Sequence, residues 1–377
     1  MGPGGEGLPP LDVAGRLERL RARVEGAGCD ALIVSNLSNV RYLSGFSGSS
    51  ALLVVLAKEA VLVTDGRYGA QAAQEAARVG ANVRVEAHRP NGHGQLLRDV
   101  LAGVSKVGLE AEHVSWAAQR RWSEGWAKGL ELVPTSALVE ALREKKAPPE
   151  AARVEAAAAI ADAAFARVAH LVHERPTEAS LALALDTEMR QLGAEGCAFE
   201  TIVAAGPNAA EPHHRPSGRR VEPGDLVVLD FGARVDGYCS DMTRSVWAGP
   251  ERAGRSAELA KAYAVVLASQ EAGLAALGDG VPAAAVDRAC REVVEAAGWG
   301  EQFVHGTGHG VGLDIHEAPA LAATSEDILG SGHVVTVEPG VYLPGLGGVR
   351  IEDTVAVRED GGRVLTGTAK HRPGGTP

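Results

Sequence analysis

The 377-residue chain is poor in aromatics, with Phe, Trp and Tyr together at 4%, so its cores must be built from aliphatic side chains. Its four cysteines, Cys29, Cys197, Cys239 and Cys290, contain no C-x-x-C pair. They therefore suggest neither a structural zinc site nor a disulfide framework, and reduced thiols in a cytoplasmic protein are the simplest reading. No apolar run reaches membrane-spanning length, so a soluble chain without a membrane partner is expected. The opening residues MGPGGEGLPP lack a charged n-region and an apolar h-region. No secretory signal is expected there, and the Gly and Pro content suggests disorder over residues 1–10. Long basic clusters are missing too, and a net charge of −11 disfavours a nucleic-acid partner.

What is present centres on residues 224–243, GDLVVLDFGARVDGYCSDMT, which read as strand, glycine-bearing turn and strand. Each strand carries one aspartate, Asp230 and Asp241, in an apolar context. A carboxylate in a buried strand is costly unless a cation or hydrogen bonds compensate it. Taken alone, the pair fits either a metal site or two strand-end aspartates in turns. A second copy follows downstream. Aligning Gly224 with Gly332 lays GDLVVLDFG over GHVVTVEPG, so that Asp230 falls on Glu338, each six residues after its glycine. Asp241-Met242-Thr243 then corresponds to Glu352-Asp353-Thr354. Two similar hairpins with two acids each are what a pseudo-twofold dinuclear metal site needs. Cys239 shares a strand face with Asp241 by alternation, but reads first as a small packed hydrophobe.

Taken in order, residues 13–28 predict an amphipathic helix ended by Gly28. The apolar runs ALIVS, ALLVVL, AVLVTD, NVRVEA and the start of KVGL then alternate with helical stretches, the Ala-rich 69–79 among them. That alternation predicts an α/β N-terminal domain. Residues 36–50, NLSNVRYLSGFSGSS, read as a polar, glycine-broken loop. The charge run and Pro pair of 143–150 mark a domain boundary, followed by helices over 150–173 and from 176 onward. A strand at 199–203 leads into a loop carrying His213 and His214 between Pro212 and Pro216. Helices are predicted over 254–277 and 283–297, and the final strands end in a short polar tail. Residues 303–317, FVHGTGHGVGLDIHE, fit neither the G-x-G-x-x-G nor the H-E-x-x-H pattern. Their alternate glycines beside His305, His309 and His316 suggest close approach of the backbone to a ligand. Alternation in the last strand puts Arg350, Glu352 and Thr354 on one face.

The ordered set Asp230, Asp241, His309, Glu338 and Glu352, with LDFG, SDMTR, GTGHGVGLDIHE, VEPGVY and VRIED, resembles the M24 metallopeptidase family. The resemblance covers nearly all of residues 11–370 and is closest to the Xaa-Pro peptidases, aminopeptidase P and prolidase. It implies an α+β protein: a pita-bread catalytic domain with a pseudo-twofold repeat at 150–370, after an α/β creatinase/prolidase-type N-terminal domain at 11–145. It further implies that Asp230 and Asp241 hold one metal, that His309 and Glu338 complete the other, and that Asp241 and Glu352 are shared. Oxygen-rich ligation with a single imidazole favours Mn²⁺, with Co²⁺, Fe²⁺ or Zn²⁺ as alternatives. Hydrolysis of an Xaa-Pro bond by a metal-bridging hydroxide is then expected, with Glu338 moving the proton and His213 and His316 flanking the substrate. His305 and Arg350 are expected as substrate-binding groups. Proline-containing peptides are the implied substrate, and a homodimer is implied in which the 36–50 loop helps close a partner's pocket. A methionine-aminopeptidase-like activity and a non-catalytic peptide-binding role are the alternatives on the same fold.

Overall fold

The structure is a computed structural model that describes residues 7–89, 92–249 and 255–370. Parts of the expected N-terminal disorder (1–6), the start of the third long helix (254) and the end of the polar tail (371–377) lie outside the described residues. The chain divides into two compact units, one spanning Pro10–Arg143 and the other running from Glu144 onward with Pro9 and the residues before it. Among the described residues no helix is long and apolar enough to cross a membrane.

The first unit is built on a six-stranded mixed sheet. Its spatial order is Arg84–His88, Ala60–Asp65, Ala51–Leu56, Ala31–Val34, Lys106–Glu110 and Glu131–Thr135. Ala31–Val34 and Ala60–Asp65 are buried along their whole length, as continuous apolar runs at the centre of a sheet should be. The 36–50 segment departs from the loop expected of it. Leu37–Ser44 is an α-helix. Asn36 caps it by accepting from the Ser38 amide, and Gly45 ends it at φ 76, a left-handed conformation that glycine adopts without strain. Val40 and Leu43 supply the buried face that sequence periodicity hid among serines and asparagines.

The second unit contains two helix-pair-on-sheet halves. In the first, Leu226–Phe231 lies between Ile202–Ala205 and Met242–Trp247, antiparallel to both. Helices Pro148–Val168 and Glu178–Gln191 pack on it, with Phe165 stacked on Phe231 at 5.8 Å between ring centroids. Val227, Leu229 and Phe231 enter that core, so alternation turns Asp230 to the opposite face. A one-residue slip would exchange the faces and drive Asp230 into the helices. With a buried Val, Leu or Phe worth about 1.5–3 kcal/mol each, the register is strongly fixed. The second half repeats the arrangement: Arg255–Ala276 and Ala283–Ala296 share a core with Val335, Val337, Val355 and Val357. There Val334–Val337 pairs with Asp353–Arg358 and Gly308–Gly310.

The expected simple hairpin at 224–243 is subdivided, because a small inner hairpin, Ala233–Val235 with Tyr238–Cys239, joins a different sheet. Likewise HVVTVEPGVYL is two strands, Val334–Val337 and Gly340–Leu343, broken at Glu338-Pro339. A buried cluster joins the halves: Arg244 donates to Asp353 Oδ1 at 2.8 Å and to the carbonyls of Thr243, Glu352 and Thr368. Asp353 also accepts from Gln270 and Thr366, so no charge there is left uncompensated.

Cys239 is buried and does not line the cavity described below. Burial pushes the Cys197 thiol up to about 11 and that of Cys290 up to about 12. Since the thiolate is the nucleophile, both should resist iodoacetamide at pH 8 in the native protein and react only after denaturation. Mass spectrometry of alkylated peptides checks this.

Candidate active site

The strand faces turned away from the two helix pairs meet at a cavity of about 500 Å³ in the second unit. Asp230, Asp241, His309, Glu338 and Glu352 all line it, as do His213, His305, His316 and Arg350. Every site residue expected from the sequence is thus brought to one place.

Each acid is placed by its strand position, and threonine hydroxyls tie down three of them. Asp230 sits in Leu226–Phe231 directly across from Thr243. Asp241 precedes the next strand, and Thr354 ties it down by donating to its carbonyl at 2.7 Å and accepting from its amide at 3.2 Å. Glu352 occupies the equivalent place in the second half. Its amide donates to the Thr243 carbonyl at 3.2 Å, and its Oε2 accepts from the Thr243 hydroxyl at 2.6 Å. Glu338 accepts from the Thr336 hydroxyl at 3.1 Å, and its amide donates to the Thr307 carbonyl. The threonines after each acid pair, legible only as a repeated letter, therefore orient the opposite half's acid.

His309 lies on Gly308–Gly310 with Nδ1 3.0 Å from the Gly310 carbonyl. That contact puts the proton on Nδ1 and leaves Nε2 with a lone pair. Nε2 is 3.3 Å from Glu338 Oε1 and 3.6 Å from Asp241 Oδ2. The alternate glycines also have a packing role. A Cβ on Gly308 would lie 2.1 Å from the Thr336 carbonyl oxygen, and one on Gly310 would lie 2.3 Å from that of Ala318. The close approach that Gly308 and Gly310 permit is to neighbouring backbone, which lets the His309 strand fit between its neighbours, while Gly306 and Gly308 also line the cavity.

The electrostatics are those of crowded carboxylates. Burial, then the charges of Glu352, Asp230 and Glu338, raise Asp241 well above the usual range. Burial, then Glu338 and Asp230, do the same to Glu352. Burial raises Glu338 to about 7 and lowers His309 to about 4. Two buried oxygens, Asp230 Oδ1 and Glu352 Oε1, have no hydrogen-bond partner. Orphaned buried carboxylate oxygens, mutual repulsion and a neutral imidazole together fit a divalent cation. One ligand atom from each of Asp241, His309 and Glu352 lies within 4.8 Å of the others, a group able to hold a metal ion.

Around these acids, His316 packs edge-on against His309, with ring centroids 4.4 Å apart. His305 Nε2 is 2.8 Å from the Tyr342 hydroxyl. Arg350 donates to Asp230 Oδ2 at 2.6 Å, to the Thr243 hydroxyl, to Tyr342 and to the Pro212 carbonyl. Those four bonds engage most of its five N–H groups, so little of the guanidinium faces the cavity. Tyr342 escaped the sequence reading as one hydroxyl in the short strand GVYL, and Thr243 showed there only as a repeated letter.

Comparison with known proteins agrees with this architecture. Residues 152–359 match the model of metallopeptidase family M24, and residues 16–145 match the creatinase/prolidase N-terminal domain. The chain belongs to metallopeptidase family M24 and is a peptidase with the pita-bread fold. It is 37% identical to the uncharacterized peptidase YqhT of Bacillus subtilis (strain 168) over 94% of this chain and 98% of that one. Among solved structures, an Xaa-Pro dipeptidase from Bacillus anthracis superposes with a TM-score of 0.89 at 36% identity, covering 94% and 98% of the two chains. An X-Pro aminopeptidase from Thermotoga maritima MSB8 gives 0.83 at 34% identity, covering 93% and 99%.

Proposed function

We propose that this peptidase hydrolyses the Xaa-Pro bond, at the N-terminus of peptides or in dipeptides, with Asp230, Asp241, His309, Glu338 and Glu352 holding a pair of divalent ions, Mn²⁺ foremost. The observation that carries the reading is the pair of orphaned buried oxygens, on Asp230 and Glu352, beside the Asp241–His309–Glu352 group in a peptide-sized cavity. The ions would polarise the scissile carbonyl and lower the pKa of the attacking water. The chain's own groups do the rest. Glu338, half-buried at the cavity wall, takes the proton from water and returns it to the leaving imino nitrogen. His316, kept neutral by burial and then by the neighbouring His213, offers an N–H to the carbonyl oxygen as negative charge develops on it. His213 holds the substrate from the facing loop. His305 contacts substrate alongside Tyr342, and Arg350 serves it mainly by fixing Asp230.

An Xaa-Pro bond is a tertiary amide without an N–H, so a peptidase that must bind that N–H fails on it. A site that works on the carbonyl and the imino nitrogen does not need it. The domain limits 11–145 and 150–370, the homodimer and a cytoplasmic location belong to the same proposal, and light scattering tests the dimer.

The reading is tested by mass spectrometry of products from Ala-Pro-Ala, Ala-Pro, Ala-Ala-Ala and Met-Ala-Ser with Mn²⁺ present. Release of Ala from one or both proline peptides and not from Ala-Ala-Ala is expected. Cleavage of Met-Ala-Ser alone would indicate a methionine-aminopeptidase-like enzyme, and no cleavage of any would indicate a non-catalytic binder.

A further inference from the structure

Glu178 is fully buried at the first position of Glu178–Gln191, immediately after the N-cap Thr177. A first-turn acid normally faces solvent and the free amides of its own helix. Glu178 instead directs both oxygens at the segment that carries His213. Oε1 accepts from the Ala205 amide at 2.8 Å and from Asn208 Nδ2 at 2.9 Å. Oε2 accepts from the Ser217 amide at 3.0 Å and its hydroxyl at 2.6 Å, and lies 3.0 Å from His214 Nε2. The opposite edge of the His214 ring is 3.1 Å from Glu211 Oε2. On the other side of His213, the Pro212 carbonyl accepts from Arg350 at 3.1 Å, and Arg350 also reaches Asp230. His213 is therefore gripped from both neighbours: residue 212 through the arginine that holds a metal-site acid, and residue 214 through Glu178.

We propose that Glu178 is a positioning residue for the hydrolysis, fixing residues 205–217 through His214, Asn208 and Ser217 so that His213 meets the substrate at a set place. The inference rests on the reading of His213 as a substrate contact. It explains why so buried a carboxylate is tolerated: burial works against its charge, yet the hydrogen bonds from Ser217, Ala205, His214 and Asn208 hold its pKa below the ordinary value. The two carboxylates beside His214 raise that imidazole against the opposing effect of burial, so the ring bridges Glu178 and Glu211 best when protonated.

The test is a double-mutant cycle on the full-length, Mn²⁺-loaded protein, with kcat and KM on Ala-Pro-Ala, metal content and thermal midpoint measured for Glu178→Gln, His214→Gln, His213→Ala and the combinations with His213→Ala. Displacing a substrate-positioning group by about 1 Å costs on the order of 100-fold, so Glu178→Gln and His214→Gln should each lower kcat by roughly ten- to 100-fold. Metal content should not change, and in the His213→Ala background the same changes should add less than about twofold. If Glu178→Gln fails to fold, His214→Gln carries the cycle with the same criteria. Parental kcat in both variants, or effects that add in full to His213→Ala, would overturn the inference. Parental turnover in His213→Ala itself would mean that the reading of His213 is wrong, and the role of Glu178 with it.

Discussion

Replacing Glu338 by Gln lowers kcat on Ala-Pro-Ala by about 10²–10⁴-fold, the range that a positioned proton-transfer group supplies, while the protein stays folded. The two halves of that expectation have separate grounds. Gln keeps the volume of Glu and an oxygen that can accept the Thr336 hydroxyl, and the Glu338 amide bond to Thr307 is a backbone contact that the change leaves alone. What Gln cannot do is take and return a proton, and because Glu338 is also a proposed metal ligand the two proteins are compared at saturating Mn²⁺. Burial, with the charge of Asp230 adding to it and Arg350 and Thr336 opposing, moves the Glu338 carboxyl from 4.5 to about 7. That shift belongs to the metal-free site; cations held beside the carboxyl would lower it.

The same shift has a stability consequence in the metal-free protein. Between pH 4.5 and about 7 the folded state binds more protons at Glu338 than the unfolded chain does. Stability therefore falls as pH rises through that window, and the loss is complete above it. In the metal-free Gln variant that fall should be smaller. Thermal unfolding at pH 5 and pH 8 measures it, and a variant with parental turnover would refute the role of Glu338.

The second large effect is Asp241→Asn. Asp241 stands 3.6 Å from His309 Nε2 and groups with His309 and Glu352 around one place able to hold a cation. Loss of an outer partner of a metal ligand costs about 10–100-fold in affinity, so loss of a ligand charge should cost on the order of 100-fold or more. At a Mn²⁺ concentration 100 times its dissociation constant, the parent gains about 2.7 kcal/mol of stability, and a variant binding 100-fold more weakly gains only about 0.4 kcal/mol. Without metal the ranking should reverse or vanish, because burial and the charges of Glu352, Asp230 and Glu338 already disfavour ionised Asp241. Calorimetric unfolding with and without Mn²⁺ separates these cases. Equal metal-induced shifts in parent and variant would remove Asp241 from the ligand set.

Much of the site was legible in the sequence because its acids sit in a duplicated strand pattern. A carboxylate six residues after a glycine, in an otherwise apolar strand, has few explanations, and finding it twice leaves fewer. The glycine-rich context marked His305, His309 and His316 alike, and the family resemblance singled out His309 as the ligand; Gly308 and Gly310 let its strand pack against Thr336 and Ala318. What the sequence hid is whatever depends on distant partners. Arg350 was expected as a substrate-binding group on the face of Glu352, and in the fold its donors are engaged by Asp230, Thr243, Tyr342 and Pro212. Glu178 carried no sequence signal of its role, since its partners lie 27 to 39 residues away. The helix Leu37–Ser44 was masked by its polar composition, where tertiary burial of Val40 and Leu43 outweighs weak local propensity.

Asp230, Asp241, His309, Glu338 and Glu352 are proposed together as the metal centre of this peptidase. The most direct test strips the purified protein with a chelator and follows Ala release from Ala-Pro-Ala while Mn²⁺ is titrated back. No turnover without metal, rising to a plateau as two ions per chain are bound, is the predicted result; turnover that persists unchanged in the stripped protein would contradict it.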